Sequence, residues 1–202
     1  MPVPVKDITA VVLAGGRSRR MGGEDKGLVE LAGRTMVGHV VERIRPQVGS
    51  LIINANRNLE SYQTFGYPVI SDEVGDFSGP LAGMASAMRL AQTSYLATVP
   101  CDSPLIPEDL VQRLYDVLTR DRAEISVAHD GVRMQPVCAL LRCGLLSSLL
   151  NYLQAGGRKI DVWYGQHHFV TADFSDTPGS FVNVNTPQEH SRIGSGISGR
   201  AR

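Results

Sequence analysis

The chain has 202 residues, 43% of them hydrophobic, and its 20 Lys plus Arg are balanced by 20 Asp plus Glu. That length and composition suit one soluble domain with a well-buried core, and zero net charge removes any general electrostatic reason to expect nucleic acid or an anionic membrane as a partner. Three cysteines, Cys101, Cys138 and Cys143, lack Cys-x-x-Cys spacing, which speaks against a disulfide framework or a structural zinc site and for a reducing compartment. Met1 to Asp7 lacks an apolar h-region, and no stretch approaches the roughly 18 to 20 apolar residues of a membrane span, so the expected location is the cytoplasm.

The first predicted element, Ile8 to Leu13, has the length and apolar character of a buried parallel strand. It breaks into Ala14-Gly15-Gly16-Arg17-Ser18-Arg19-Arg20-Met21-Gly22-Gly23-Glu24-Asp25-Lys26-Gly27, a loop of glycines and cations. Parallel strands deliver ligands to the crevice beyond their carboxyl ends. Gly15 and Gly16, without Cβ atoms, let the backbone approach a ligand and turn N–H groups toward phosphate oxygens, while Arg17, Arg19, Arg20 and Lys26 supply positive charge. Taken singly, a Gly-Gly pair also reads as a tight turn and a cationic loop as solvated surface; together, after a strand, they favour polyphosphate binding. The spacing fits neither the P-loop, because Gly22 to Gly27 is followed by Leu28 and Val29, nor the dinucleotide fingerprint Gly-x-Gly-x-x-Gly.

Next comes a helix from about Thr35 to Gln47, with Met36, Val37, Val40, Val41 and Ile44 on one face. Leu51-Ile52-Ile53 reads as a strand ending at Asn54, and Pro68-Val69-Ile70-Ser71 as another ending at Asp72. Helical spacing runs from Gly79 to Ala91, and Tyr95 to Val99 forms a buried strand before Cys101 and Asp102. A helix then starts near Pro107 and continues to about Thr119. Ile125 to Ala128 and Pro136 to Leu141 read as strands joined by the turn-prone His129-Asp130-Gly131, a hairpin or mixed sheet edge. Gly144 to Leu153 is a predicted helix, Phe169 to Phe174 a strand, and Pro187 to Ile193 a terminal helix capped by Asn185 or Thr186. The alternation predicts a single-domain, Rossmann-like α/β fold over 1–193, a doubly wound and mostly parallel sheet with a mixed edge, followed by a disordered tail at 194–202.

Several polar residues carry competing readings. Asp102, at a strand end, suits Mg²⁺, which takes oxygen ligands from one or two carboxylates, phosphates and water, but a turn or capping aspartate before Pro104 has the same local sequence. Lys26 is either solvated or a phosphate contact; Asn54 and Asp72 are either turn formers or ligand contacts. Gly79-Pro80 also serves simply to start a helix. The five histidines form no ligand cluster, and His167-His168 reads as a polar edge. No nucleophile-elbow pattern supports serine catalysis, and Cys101 is expected to pack in the core.

Leu13-Ala14-Gly15-Gly16, Arg20-Met21-Gly22 and Asp25-Lys26-Gly27-Leu28 together resemble the signature of nucleotidyltransferases, in the molybdenum cofactor guanylyltransferase family. Asn54-Ala55-Asn56, Asp72, Gly79-Pro80-Leu81-Ala82-Gly83-Met84, Pro100-Cys101-Asp102-Ser103-Pro104 and Phe181-Val182-Asn183-Val184-Asn185-Thr186-Pro187 are similar to the same family, in its order. The resemblance implies transfer of GMP from GTP to the terminal phosphate of molybdopterin-bound molybdenum cofactor, with release of pyrophosphate and with Mg²⁺ as cofactor. It implies GTP contacts at Leu13, Ala14, Gly15, Gly16, Lys26, Asn54, Asp72, Gly79 and Asp102, catalytic roles for Arg20, Lys26 and Asp102, metal binding by Asp102, and acceptor contacts at Asn183 and Asn185. It further implies a nucleotide half at about 8–105, an acceptor half at about 106–193, and cofactor-delivery proteins and acceptor molybdoenzymes as partners. Related cytidylyltransferases, sugar-phosphate or isoprenoid-precursor nucleotidyltransferases, and a noncatalytic GTP sensor share parts of the pattern.

Overall fold

The computed structural model describes residues 5–15, 25–72, 79–177 and 179–184, together with Glu189 and Ile193. In chain order, its strands are β1 (Ile8–Leu13), β2 (Glu30–Leu31), β3 (Arg34–Thr35), β4 (Ser50–Asn54), β5 (Val69–Ile70), β6 (Tyr95–Pro100), β7 (Ile125–His129), β8 (Met134–Arg142) and β9 (Phe169–Asp173). The α-helices are α1 (Met36–Ile44), α2 (Leu59–Gln63), α3 (Pro80–Leu90), α4 (Leu110–Arg120), α5 (Leu146–Gln154) and α6 (Ile160–Tyr164).

Seven strands form one sheet in the order β5-β4-β1-β6-β8-β7-β9. β1 pairs parallel with both β4 and β6, and β4 pairs parallel with β5. β8 runs antiparallel between β6 and β7, while β9 returns parallel to β7. The expected mixed, mostly parallel α/β sheet is therefore what the chain forms. Alternation along β1 explains its place at the centre: Ile8, Ala10 and Val12 join the core beneath α1 and α4, while Val11 joins the opposite core beneath α3, α5 and α6.

The loops follow from local chemistry. Thr35 caps α1 by accepting from the Gly38 N–H at 3.3 Å. Asp130 Oδ1 accepts from the N–H groups of Val132 and Arg133, each at 2.8 Å, and closes the β7–β8 hairpin with Gly131 at φ 91°. α4 starts at Leu110, one turn later than Pro107 suggests, because the Pro107 carbonyl accepts from Leu110 N and Gln47 Nε2 and belongs to the preceding turn. The predicted terminal helix and tail lie outside the described residues, apart from Glu189 and from Ile193, which is buried against Leu31, Met36 and Val184.

Register positions the site. Leu13 sits opposite Asn54 and Pro100, and Asn54 opposite Ile70, so four parallel strands finish on one line. Whatever follows those ends is delivered to the same crevice, and the chain places β4 and β5 on one side of β1 before crossing to place β6 on the other.

Candidate nucleotide site

A cavity of about 420 Å³ opens beyond these strand ends. β1 supplies Leu13, the two residues after it supply Ala14 and Gly15, β4 supplies Asn54, and the segment after β5 supplies Asp72. Gly79 and Pro80, at the N-terminus of α3, form another wall; Gly79 adopts φ 74°, a conformation that glycine takes without strain. The partial positive charge of that helix end is therefore presented to the cavity.

On one side the wall is a hydrogen-bonded amide–carboxylate cluster. Asn54 Nδ2 donates to Asp72 Oδ1 at 2.9 Å, and Asn56 Nδ2 donates to Asp72 Oδ2 at 2.8 Å. Asn56 Oδ1 in turn accepts from the Asp72 N–H at 2.8 Å. Asn54 is only 2% exposed, and it fits because Gly83 of α3 has no side chain: a Cβ there would collide with Asn54 Oδ1. Both carboxylate oxygens of Asp72 are thus fixed by amide donors, an arrangement for hydrogen-bond recognition rather than for holding a cation.

On the other side, Lys26 Nζ lies 3.6 Å from Asp102 Oδ2. Burial pushes the Asp102 carboxyl above its ordinary range, and the neighbouring Lys26 ammonium works against that rise. The turn that carries Lys26 is capped by Asp25, which is 8% exposed. The Asp25 carboxylate accepts from Tyr62 Oη at 2.7 Å, Asn58 Nδ2 at 3.1 Å and Gly27 N at 3.3 Å, with Arg57 Nε at 3.5 Å. Tyr62 can reach it only because Gly27 lacks a Cβ, which would strike the phenol oxygen. Burial raises the Tyr62 hydroxyl and the Cys101 thiol far above their usual ranges, so both stay protonated.

These donor sets decide which metal fits. Among the described residues no group of three or more His, Cys, Asp or Glu could hold an ion. Asp25 is surrounded by donors and each Asp72 oxygen already holds one amide donor, leaving Asp102, paired with the Lys26 ammonium, as the cavity carboxylate best placed for a cation. A single hard oxygen ligand suits Mg²⁺ completed by phosphate and water, and does not suit zinc.

A second cavity, of about 340 Å³, is lined by Asp130, Arg133, Gln135, Phe181, Val182 and Asn183, among others. Asn183 borders both cavities. Its Oδ1 accepts from Ser103 Oγ at 2.6 Å, and Val184 N donates to the Asp102 carbonyl at 2.9 Å, tying this segment to the loop that carries Asp102.

The family model for the MobA-like NTP transferase domain matches residues 10–168. The chain belongs to that family. It is 54% identical over 191 residues to the molybdenum cofactor guanylyltransferase of Shewanella loihica, covering 95% of this chain and 97% of the relative. It is 53% identical over 191 residues to the protein of that name from Shewanella halifaxensis, covering 95% and 96%. In fold it is similar to molybdopterin-guanine dinucleotide biosynthesis protein A from Archaeoglobus fulgidus (TM-score 0.76, 21% identity, covering 94% of this chain and 98% of that one). It is also similar to CMP:2-keto-3-deoxy-manno-octonic acid synthetase complexed with CTP (TM-score 0.72, 13% identity, covering 96% and 98%). The protein is thus an enzyme of the nucleotidyltransferase class with a Rossmann-like fold.

In this MobA-like protein, nine of the sequence-predicted site residues meet around one cavity: Leu13, Ala14, Gly15, Lys26, Asn54, Asp72, Gly79, Asp102 and Asn183. Gly16, Arg20 and Asn185 lie outside the described residues, as do Arg17 and Arg19. Sequence reasoning assigned no role to Asn56, Asp25, Tyr62 or Ser103. Asn56 and Asp25 stood within quoted motifs, and polar residues after a buried strand were the available signal. Ser103 likewise stood within Pro100-Cys101-Asp102-Ser103-Pro104, whereas Tyr62 gave no signal, because its partner Asp25 is distant in sequence. His167 serves packing: it bonds Ser148 at 2.9 Å and meets the Trp163 ring edge-on.

Proposed function

We propose that this protein transfers GMP from GTP to the terminal phosphate of molybdopterin-bound molybdenum cofactor, forming the guanine dinucleotide cofactor and pyrophosphate. The observation that carries the reading is one cavity bordered by two unlike polar groups, the amide-held Asp72 carboxylate and the Lys26–Asp102 pair. The first suits a base with adjacent donors and the second a polyphosphate. Guanine presents N1–H and its 2-amino group side by side, matching the two oxygens of a fixed carboxylate, whereas cytosine presents one amino donor beside an acceptor.

In this reading the triphosphate lies along Gly15, the N-terminus of α3 and Lys26, with Arg20 bracing the departing pyrophosphate. A terminal phosphate oxygen of the acceptor attacks the α-phosphorus. The new P–O bond forms as the bond to the β-phosphate bridging oxygen breaks, and pyrophosphate leaves with that electron pair. The acceptor is already an anion, so no base is needed; the chain supplies alignment and charge neutralisation. Asp102 would hold Mg²⁺, which when bound supplies Lewis-acid polarisation of phosphoryl oxygens. Asn183 and Asn185 would contact the acceptor in the second cavity, making about 8–105 the nucleotide half and about 106–193 the acceptor half. Cofactor-delivery proteins and acceptor molybdoenzymes would be its protein partners. The cytoplasm is its proposed location, in keeping with three cysteines that are all free.

The test is pyrophosphate release with Mg²⁺ and molybdenum cofactor, run in parallel with GTP, CTP, ATP and UTP. Release with GTP alone is the expected outcome. Release with CTP would move the protein to cytidylyl transfer, and GTP binding without release would make it a sensor.

A further inference from the structure

Asn56 stands behind the base reader rather than on the cavity wall, and its bonding is unusually complete. Its amide nitrogen donates to Asp72 Oδ2 at 2.8 Å and lies 3.4 Å from the Gly15 carbonyl oxygen, while its amide oxygen accepts from the Asp72 N–H at 2.8 Å. One side chain thus grips both the carboxylate and the backbone of Asp72, and reaches across to the first glycine of the loop that follows β1. The fit is close on that side too: a Cβ on Gly15 would lie 2.8 Å from Asn56 Nδ2.

We infer that Asn56 is a positioning residue that sets the enzyme's preference for guanine, by locking the rotation of the Asp72 carboxylate. The inference rests on the reading that Asp72 receives the guanine N1–H and 2-amino donors. Two parallel donors need both carboxylate oxygens in their plane at once. Asn54 holds only Oδ1, at 2.9 Å, so without Asn56 the carboxylate pivots about its Cβ–Cγ bond. It then meets one donor well and the other poorly. A base lacking the 2-amino group loses little from that pivot, because it uses only one oxygen. The selective quantity is therefore the preference for GTP over ITP, whose base differs from guanine only in lacking that amino group.

The experiment measures dissociation constants for GTP and ITP with Mg²⁺, and kcat at saturating GTP with molybdenum cofactor, in wild type, Asn56→Ala, Asn56→Asp and Asp72→Asn. A hydrogen bond to a charged group predicts a wild-type preference for GTP of about tenfold to a hundredfold. Asn56→Ala should cut that preference by about fivefold or more, with the loss falling mainly on GTP affinity rather than on kcat. Asn56→Asp has the same shape but sets a carboxylate against Oδ2, so its loss of GTP affinity should exceed that of alanine. A purely structural role would weaken both nucleotides alike and leave the ratio at its wild-type value. The two ideas fail separately: if Asp72→Asn removes the preference and neither Asn56 variant does, the positioning role is overturned. If Asp72→Asn itself keeps the preference, the base-reading role of Asp72 is overturned and Asn56 with it.

Discussion

Gly83 offers a sharp test of the packing behind the site, because two physical effects of Gly83→Ala have opposite signs. In the interior of α3, alanine is favoured over glycine by about 1 kcal/mol. Its methyl group, however, would collide with Asn54 Oδ1 and lie 2.8 Å from Asn54 Cγ and 2.7 Å from Leu13 Cδ2. Those neighbours have little room to move: Asn54 is 2% exposed and hydrogen-bonded to Asp72. Overpacking costs about 1–3 kcal/mol, and driving Asn54 off the carboxylate forfeits a further 1.5–3 kcal/mol or so for a charged hydrogen bond. The steric side wins, and the net loss should be about 2–4 kcal/mol, read as a fall in Tm of about 5–15 °C for a domain of this size. GTP affinity should fall about tenfold or more as the Asp72 reader loosens. Thermal unfolding followed by circular dichroism and a GTP titration test this, with Gly144→Ala as control, since a Cβ at Gly144 meets nothing within 4 Å. A Gly83→Ala protein with unchanged or higher Tm and unaltered GTP affinity would refute the argument.

Asp102→Asn should reduce Mg²⁺-dependent turnover by about a hundredfold or more, since the only proposed oxygen ligand loses its charge. Because burial raises the native Asp102 pKa above its unfolded value, the folded state disfavours the ionised form. The stability this protonated carboxyl contributes is complete below the unfolded pKa and is lost as pH rises through the native one. The Tm of Asp102→Asn should therefore gain on wild type as pH rises from about 4, near the unfolded aspartate pKa, toward neutrality, and a gap that shrinks across a differential scanning fluorimetry series would contradict this. Lys26→Met should raise the KM for GTP about tenfold, by removing charge from the phosphate side; pyrophosphate-release kinetics with a wild-type KM would exclude that contact. Tyr62→Phe removes the 2.7 Å donor to buried Asp25 and should destabilise the fold by about 1–3 kcal/mol, measured by urea unfolding; a neutral result would show that Asn58 and Arg57 suffice.

What the sequence disclosed and what it concealed divide along physical lines. β1, β4 and β6 were legible because strands buried on both faces are written as continuous apolar runs, and Asn54 and Asp102 were legible because they lie where two of those runs end, Asp72 because it ends the shorter run of β5. That they share a cavity follows from parallel register, which turns separate strand ends into one line. The pairings themselves were not legible. Asp25 reaches Asn58 and Tyr62, 33 and 37 residues away, and no local pattern announces such a contact. The β2–β3 ribbon was missed because its strands have two residues each and its turn uses Ala32 at φ 51° before Gly33, without the asparagine or aspartate that usually marks such a turn. α2 and α6, five residues each, are too short for a 3.6-residue period to show. The β7–β8 hairpin was foreseen from its turn, yet the insertion of β8 between β6 and β7 depends on tertiary packing alone.

The placement of β8 and of the segment after β9 bears on how two substrates could share one reaction. In-line transfer requires two phosphates held at contact distance. The larger cavity is built from parallel strand ends, and in the proposed reaction the acceptor must be brought against it by chain that folds back. Thr98 of β6 donates its hydroxyl to the Val137 carbonyl of β8 at 2.7 Å, and Val137 then lines the nucleotide cavity. Farther along, Ser103, 1% exposed, fixes the Asn183 amide, while the next residue, Val184, bonds the backbone of Asp102 itself. Asn183 is therefore referenced to the same short loop as Asp102. If acceptor contact and metal contact reside at those two residues, their separation is set by two hydrogen bonds across one loop rather than by a hinge between domains. The proposed halves are then functional labels on a continuous frame, and displacing either residue misaligns both substrates.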